Sequence, residues 1–326
     1  MNMPLVIDGM NGSLLNRRYL DKALEIGRFV FHITVNNFRK IIPYFSLEEA
    51  LKDLALCREW LERMAEKAML VKEPSDIDTA TRAGKIGIIL GYQNMPGNIQ
   101  SIEILSLFHA LGVRIIQITH NDRNLMGDGC AESANAGLSS LGRQVIKEMN
   151  RLGIVIDLSH VGEATSIETL EISSQPAAVT HANSATVLPS SRNKSDAVLG
   201  ALKRNDGAIG ITFFPPFINR KRFEPSIDDV MAQIDHIAER IGTRHIGIGS
   251  DFIAGQPRER YEALLRHPEI YGDWPWQFPI SGIEALDDLF SLLLKRGYSK
   301  DDVAGIAGGN FRRVLDRVWS HGGKDG

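Results

Sequence analysis

The chain has 326 residues, a formal net charge of −3 and a calculated pI near 6.3, and 43% of its residues are hydrophobic. This composition is that of a globular protein that buries a large core, which excludes a disordered chain. The near-neutral charge provides no basic surface for nucleic acid or for an acidic membrane, so small ligands and proteins are the expected partners.

The cysteines and the termini indicate the cellular compartment. The two cysteines, Cys57 and Cys130, are far apart in sequence and lie in no CxxC motif, so no disulfide framework is expected. The first residues have neither the charged region nor the apolar run of a signal peptide. No stretch approaches the ~20 apolar residues of a membrane span. The sequence therefore predicts a cytoplasmic protein that is not embedded in a membrane.

Eight short runs rich in β-branched residues alternate with longer stretches that have helical periodicity. The runs begin at Leu5, Phe29, Lys85, Gly112, Gly153, Pro176, Gly207 and Arg244. Helices are predicted at 47–70, 99–111, 139–152, 164–173, 197–203 and 226–241, and two more follow the last run at 282–296 and 300–318. Such repeated βα units predict a parallel sheet covered by helices.

Eight buried strands of this kind favour a closed (β/α)8 TIM-type barrel with extra C-terminal helices, because closure removes exposed sheet edges. An open, doubly wound sheet is the alternative. Since the two last helices are expected to cover the bottom or side of the barrel, no second core is needed. The sequence therefore predicts a single domain over residues 1–326.

In a barrel, functional side chains lie where strands end and βα loops begin. The polar residues at these positions are Asp8, Gln93, His120, His160, His181 and Asp251. His160 and His181 end consecutive strands, and strands about 4.8 Å apart allow two imidazoles to converge on one ion. Neutral imidazole suits Zn²⁺ or another late divalent metal. The alternative is that each histidine makes an ordinary hydrogen bond in a polar barrel mouth.

Three further residues have positions that suit hydrolysis. Asp251 follows the eighth strand, where a carboxylate could accept a proton from a metal-bound water and pass it to a leaving amine; a cap or salt bridge is the alternative. His120 could polarise a carbonyl and Arg192 could bind a carboxylate in bidentate fashion. Each of these two residues, taken singly, is more often structural.

The segment 252–280 follows the eighth strand and carries Trp274, Trp276 and Phe278. A loop in this place lies at the catalytic face of a barrel and could act as a lid. The aromatic residues could form a box for a quaternary ammonium group. A hydrophobic lid or a dimer contact is the favoured interpretation.

Six segments together resemble one known family, the renal (membrane) dipeptidases, which are zinc hydrolases within the amidohydrolase-like barrels. The segments are VIDGMNG, GIVIDLSHVGEAT, HANS from His181, LPSSRN, IGIGSDF and GGNFRRVLDRV, and they extend over nearly the whole chain. The resemblance implies two metals held by a His-x-Asp after the first strand, a bridging Glu after the third, and one His after each of the fifth and sixth. His160 and His181 match the last two.

The same resemblance implies roles for the remaining candidates. His120 corresponds to the histidine on the substrate side, Arg192 to the residue that binds the substrate carboxylate, and Asp251 to the acidic residue after the eighth strand. The resemblance also implies a homodimer. Some barrels of the amidohydrolase type work with a single metal held by histidines of the fifth and sixth strands and an Asp after the eighth, and here His160, His181 and Asp251 would be that set.

Three expected metal ligands are replaced in this sequence. Met10 stands where the family has the first His, Gly12 where it has the Asp, and Gln93 where it has the bridging Glu. An amide keeps an oxygen donor but lacks the charge that bridges two cations. We therefore expect at most one divalent ion per chain, Zn²⁺ or a similar metal, held weakly by His160 and His181 with Gln93 as a neutral ligand, or no ion.

Three functions remain open from the sequence. The favoured one is a metal-dependent hydrolase of a dipeptide or related small amide with a free carboxylate, in which His120, Gln93 and Arg192 contact the substrate and Asp251 moves the proton. The second is a catalytically inactive or metal-free protein that binds a small carboxylated molecule on the dipeptidase scaffold. The third is a different, metal-free reaction.

Overall fold

The computed structural model describes residues 4–13, 15–27, 29–35, 46–96, 101–219, 225–262, 264–272, 275–280 and 282–322. Within them, one nine-stranded parallel sheet forms the centre of the molecule. The strands are β1 (Val6–Asp8), β2 (Phe29–Thr34), β3 (Ala68–Leu70), β4 (Ile86–Gln93), β5 (Val113–Gln117), β6 (Val155–Asp157), β7 (Ala178–Ala182), β8 (Ala208–Ile211) and β9 (Ile246–Ile248).

Eight of these strands close into a ring, which confirms the predicted (β/α)8 barrel. β1 pairs with both β2 and β9, β2 pairs with β4, and the pairing then continues in chain order from β4 to β9. The strands are almost entirely buried, since the barrel interior covers one face and the helices cover the other. Their carboxyl ends therefore meet at one end of the barrel.

The short strand β3 lies outside the ring, and the predicted helix 47–70 is wrong over this part. β3 pairs with β4 at Ile86–Ile88, on the side where the pairing of β4 with β5 begins only at Leu90. The lower half of β4 would otherwise expose its backbone groups on that side. Pairing with this free edge overrides the helical periodicity of the sequence.

The helices are α1 (Arg17–Ile26), α2 (Leu47–Arg63), α3 (Pro74–Arg82), α4 (Ile104–Ala110), α5 (Ser140–Leu152), α6 (Glu163–Ile172), α7 (Asp196–Arg204), α8 (Ile227–Ile241), α9 (Pro268–Tyr271), α10 (Leu286–Lys295), α11 (Lys300–Ala304) and α12 (Asn310–Trp319). α1 and α3 are not predicted from the sequence, because each buries only two of its side chains and so has a narrow apolar stripe. Residues 99 and 100 of the predicted helix 99–111 lie outside the described residues.

The starts of several helices follow from serine residues that cap them. The side chains of Ser46, Ser139, Ser195, Ser226 and Ser299 each accept a hydrogen bond from a backbone N–H of the first helical turn. Such a cap satisfies an N–H group that has no partner within the helix. These serines fix where α2, α5, α7, α8 and α11 begin.

The C-terminal helices close the lower end of the barrel. One π-helical turn, Gly305–Gly309, joins α11 to α12, so the predicted helix 300–318 is interrupted. Phe311, Val314 and Leu315 of α12 pack with Ile7 and other buried strand residues. The opposite end of the barrel remains available for polar side chains. Within the described residues, no helix is both long enough and apolar enough to cross a membrane.

Candidate functional site

His160 and His181 lie together at the carboxyl ends of the strands. His160 follows β6 and His181 lies in β7, and the Nε2 atoms of the two rings are 3.0 Å apart. His160 is 4% exposed and His181 is 0% exposed. The structure thus brings together the two histidines that the sequence singles out as metal ligands, and their binding of an ion stays a prediction.

The hydrogen on His160 is placed by Asn121. The Nδ1 atom of His160 lies 2.8 Å from the side-chain oxygen of Asn121. The side-chain nitrogen of Asn121 donates to the Tyr271 hydroxyl. Because an amide oxygen only accepts, Nδ1 of His160 carries the hydrogen. Nε2 of His160 therefore presents a lone pair.

The hydrogen on His181 is placed by a second chain of hydrogen bonds. The Thr180 hydroxyl donates to Asp157 at 2.8 Å, and the Nδ1 atom of His181 lies 2.8 Å from the same hydroxyl oxygen. Because this hydroxyl donates its one hydrogen to the Asp157 carboxylate, its oxygen accepts the hydrogen bond from Nδ1–H of His181. Nε2 of His181 therefore also presents a lone pair, and the two lone pairs converge.

This pair of imidazoles has the donor chemistry of a site for one divalent ion. Two nitrogen ligands at 2.0–2.1 Å from a tetrahedral zinc ion would lie roughly 3.3 Å apart, close to the observed separation. Gln93 presents its side-chain nitrogen 3.2 Å from Nε2 of His181, so its amide would have to turn over to offer oxygen. The residues fit one ion held by His160 and His181.

Burial and positive charge keep both rings neutral. The pKa values of His160 and His181 are well below the usual value, first because the rings are buried and then because the Arg192 guanidinium is near. Burial, followed by the charge of Arg192, lowers the pKa of His120 to about 3. The His120 ring stacks on His160, with centroids 4.0 Å apart. All three imidazoles are therefore neutral at physiological pH.

Two buried cations flank the backbone of His160. Arg192 is 0% exposed and donates from Nη1 to the carbonyl of Ser159 and from Nη2 to the carbonyl of His181, the latter at 3.1 Å. Lys194 donates to the carbonyl of Val161 at 2.8 Å, and burial lowers its pKa to about 7. The two cations thus hold the residues on either side of His160.

Arg192 is buried and uses two of its five N–H donors on backbone carbonyls in this arrangement. Its guanidinium lies 4.8 Å from the centroid of the Phe217 ring, and among the described residues its Nε has no hydrogen-bond partner. A substrate carboxylate could reach Nε or replace one of the two carbonyls. Binding of that carboxylate by Arg192 stays a prediction.

Asp251 lies at the mouth of the barrel and is partly exposed. Its backbone has φ 52°, in the left-handed region, and its N–H donates to the carbonyl of Met10 at 2.9 Å. Although the residue is partly exposed, desolvation of its carboxyl group raises the pKa of Asp251 to about 6, and the charge of Arg192 acts in the opposite direction. A carboxyl group with this pKa can accept and return a proton near neutral pH.

The position of the missing family carboxylate lies beside Asp251. A Cβ atom added to Gly12 would be 3.8 Å from an Asp251 carboxylate oxygen. Met10 is fully buried and offers only a thioether. Within the described residues, no group of three or more His, Cys, Asp and Glu side chains could hold a metal ion. The second ion of the family pattern does not fit these residues.

Asp8 connects two barrel strands. Its carboxylate accepts from the N–H and the hydroxyl of Ser250, at 2.8 and 2.5 Å, and from Asn11 at 3.1 Å and the N–H of Met10 at 3.3 Å. Burial nevertheless raises its pKa to about 7. With its oxygens occupied in this way, Asp8 ties β1 to the residues after β9.

Aromatic side chains cover part of the barrel mouth. Trp276 and Phe278 pack on Phe214, with centroid distances of 4.6 and 5.7 Å. We call Phe214, Phe217, Tyr261, Tyr271, Trp276 and Phe278 the aromatic cluster. Trp274 lies outside the described residues. The described rings pack on one another, which fits a hydrophobic lid better than an open box for a quaternary ammonium group.

Five residues that hold the histidines in place are not predicted from the sequence. They are Asn121, Asp157, Thr180, Lys194 and Tyr271. Four of them lie within three residues of a predicted site residue, and this proximity is the only feature of the sequence that could have indicated their role. Tyr271 has no such signal, because it is 150 positions from Asn121.

Comparison with known proteins identifies the family. The sequence profile of the membrane dipeptidases, Peptidase family M19, matches residues 17–271. The chain belongs to this family. It is 30% identical over 287 residues to Dipeptidase tcpJ of Claviceps purpurea, covering 87% of this chain and 63% of that protein. It is 31% identical over 285 residues to Dipeptidase verJ of Clonostachys rogersoniana, covering 87% and 68%. The predicted resemblance is confirmed.

Solved structures of similar proteins have the same fold. An amidohydrolase from Pseudomonas aeruginosa is 31% identical, with a TM-score of 0.88 and 97% of each chain covered. A metallo peptidase from Rhodobacter sphaeroides, liganded with a phosphinate mimic of the dipeptide L-Ala-D-Ala, is 23% identical, with a TM-score of 0.74, 97% of this chain covered and 99% of that one. The second likeness concerns the fold alone. Met10 and Gly12 precede the range matched by the M19 profile.

Proposed function

We propose that this M19 protein hydrolyses a dipeptide or a related small amide with a free carboxylate, using one divalent ion such as Zn²⁺ held by His160 and His181. The two Nε2 atoms carry this proposal, since they face each other at 3.0 Å while both Nδ1 hydrogens are committed elsewhere. Both curated relatives named above are called dipeptidases. The liganded Rhodobacter protein binds a dipeptide mimic.

One ion at this place would supply Lewis acidity, which polarises a carbonyl and makes water a better nucleophile. The protein's own residues supply the proton transfer. Asp251, with a pKa of about 6, is mostly ionised at pH 7, so it accepts a proton from the attacking water and then passes it to the leaving amine. This proton path needs no second ion.

His120 and Arg192 orient the substrate in this proposal. The neutral His120 ring stacks on His160 and offers an N–H to the oxygen that becomes negative during attack. The positive charge of Arg192 attracts the free carboxylate and is the reason why a substrate with such a group is preferred. Gln93, beside His181, is placed to contact the scissile amide.

A second candidate is a catalytically inactive or metal-free protein that binds a small carboxylated molecule. The replacements at Met10, Gly12 and Gln93 favour it, because they remove the acidic ligands that hold divalent ions tightly. The buried guanidinium of Arg192 also favours an anionic ligand. In this case the protein would bind the molecule without hydrolysing it.

Metal content before and after incubation with Zn²⁺ is the first test. We expect about one ion per wild-type chain and none in a His160→Ala, His181→Ala double variant. The matched control is His236→Ala with His321→Ala, which removes the same number of histidines outside the site. Dipeptides and N-acyl amino acids are then assayed with added Zn²⁺, Mn²⁺ or Co²⁺.

The two candidates give different results in these assays. Hydrolysis that depends on the added metal and is lost in the double variant supports the hydrolase. An absence of hydrolysis across the whole panel would contradict it. A rise in melting temperature with a small carboxylic acid, but not with metal, would support the binding protein instead.

A further inference from the structure

Asn121 occupies a turn that is fixed by its surroundings. It follows β5, is 2% exposed and has φ 38°, a left-handed conformation that is uncommon for residues other than glycine. Its carbonyl accepts from the N–H of Ala131 at 2.8 Å. Gly129 makes this approach possible, because an added Cβ there would lie 2.1 Å from the Asn121 carbonyl oxygen. These contacts fix the backbone position of Asn121 beside His160.

Both ends of the Asn121 side chain are engaged. Its oxygen accepts from Nδ1 of His160 at 2.8 Å and from the thiol of Cys130 at 3.4 Å. Its nitrogen donates to the hydroxyl of Tyr271 at 2.7 Å. The amide thus bridges a candidate metal ligand and a residue in the segment between β9 and α10.

Tyr271 is itself held inside the aromatic cluster. Its ring makes edge contacts with Phe214 and Phe217, with centroid distances of 6.2 and 5.7 Å, and its carbonyl accepts from Trp276 at 2.8 Å. Tyr271 is 2% exposed. The segment that covers the barrel mouth therefore contacts Asn121 through the Tyr271 hydroxyl.

We propose that Asn121 is the positioning residue of His160 and that Tyr271 holds Asn121 in place, so that the segment between β9 and α10 controls the orientation of a candidate metal ligand. A partner on Nδ1 fixes both the tautomer and the ring plane of an imidazole, which directs the Nε2 lone pair. The consequence for metal binding rests on the proposed function, whereas the tautomer does not.

The decisive measurement is the tautomer of His160 in the metal-free protein, read from the ¹⁵N signals of its ring. In Asn121→Gly, which keeps the left-handed backbone but removes the amide, we expect a resolved signal of the Nε2–H tautomer that is absent from the wild type. Asn121→Asp retains an acceptor and is expected to restore the Nδ1–H form. Unchanged ring signals in Asn121→Gly would overturn the proposal.

The role of Tyr271 is tested by Tyr271→Phe, which removes only the hydroxyl. Tyr298→Phe is the control, because the Tyr298 hydroxyl donates to Asp235 at 2.8 Å on the outer face of the barrel. We expect the His160 signals to shift or broaden in Tyr271→Phe and to stay unchanged in Tyr298→Phe. Identical His160 signals in the two variants would overturn the coupling to the segment.

Zn²⁺ affinity provides a second measurement. Loss of a hydrogen-bond partner behind a ligand weakens metal binding about 10- to 100-fold, and we expect this loss in Asn121→Gly. A change of tautomer with wild-type affinity would contradict the positioning of a metal ligand. If the wild type binds no metal while the tautomer still changes, the proposed hydrolase fails and the link between Asn121 and His160 stands.

Discussion

The Nε2 atoms of His160 and His181 lie 3.0 Å apart although their neighbours leave neither atom a hydrogen. Two lone pairs at this distance repel each other unless a cation or a shared proton lies between them, and the Gln93 side-chain nitrogen, 3.2 Å from Nε2 of His181, can donate to only one of the two. Burial and the charge of Arg192 disfavour the proton, since they lower both pKa values. The arrangement is therefore one that a metal ion would stabilise.

We expect Thr180→Val to weaken this site without changing its volume much. The substitution leaves the Nδ1 hydrogen of His181 without an acceptor and removes one donor from Asp157. The free energy of unfolding should fall by about 1–3 kcal/mol and Zn²⁺ affinity by about 10- to 100-fold. Urea denaturation and a competition titration measure the two effects. Thr186→Val is the control, because its hydroxyl is more exposed and donates to Asp196, and it should change neither the stability nor the Zn²⁺ affinity. Equal losses in both variants would contradict the prediction.

Gln93→Glu should strengthen metal binding, because it returns a carboxylate to the place beside His181. Without metal, the buried charge should lower the melting temperature of the variant. Addition of Zn²⁺ should then raise the melting temperature of the variant by more than it raises that of the wild type. Gln233→Glu is the control, since Gln233 is also a buried glutamine but lies in α8, outside the barrel mouth. Zn²⁺ should not rescue that variant. Equal rescue of both would show that the added charge acts non-specifically.

Most of the barrel could be predicted from the sequence because each barrel strand is a short, buried run rich in apolar residues. β3 could not, since three residues become a strand only through the free edge of β4. The same distinction applies to the site. His160 and His181 are predictable because parallel strands end at one face, whereas the contact of Asn121 with Tyr271 depends on the packing of a distant segment.

The contribution of Asp8 to the stability of the folded protein should be larger at pH 4 than at pH 7. Its pKa rises from 3.8 to about 7 on folding, so the folded state binds the extra proton between these values. The contribution of this group to the free energy of unfolding has its full value below pH 3.8 and is lost as pH rises through about 7. The loss is at most about 4 kcal/mol.

The difference in the free energy of unfolding, wild type minus Asp8→Asn, should decrease between pH 4 and pH 8. In both proteins Asp251 contributes a decline in the same direction, whereas the lowered pKa values of His120, His160 and His181 contribute an increase. Asp78→Asn is the control, because Arg312 lowers the pKa of Asp78 and its contribution is lost only as pH falls. A wild-type slope in Asp8→Asn would refute the assignment.

For the proposed hydrolase, kcat/KM should rise with pH through an apparent pKa of about 6, because Asp251 must be ionised to accept a proton. In Asp251→Asn this rise of kcat/KM with pH should disappear, and kcat/KM should fall at least about 100-fold. Asp157→Asn is a useful comparison, since that carboxylate is occupied by Ser159 and Thr180 and should change activity through the position of His181. A limb that persists in Asp251→Asn would assign the proton transfer to another group.

Gly249→Ala should disturb the site through the backbone of β7. A Cβ atom at Gly249 would lie 2.0 Å from the carbonyl oxygen of Thr180, and Gly210 approaches the same oxygen at a comparable 2.2 Å. Relief of this clash must move Thr180 and, with it, His181. We expect a loss of about 1–3 kcal/mol in the free energy of unfolding and weaker Zn²⁺ binding.

The matched control for this substitution is Gly200→Ala in α7, where the nearest atom to an added Cβ is a terminal nitrogen of Arg204 at 3.7 Å. Alanine is preferred over glycine inside a helix, so this variant should gain roughly 0.5–1 kcal/mol. The two alanine substitutions thus have opposite expected signs in the same urea denaturation assay. An unchanged stability in Gly249→Ala would mean that β7 can shift freely, and His181 would then not be held by the close approach of these strands.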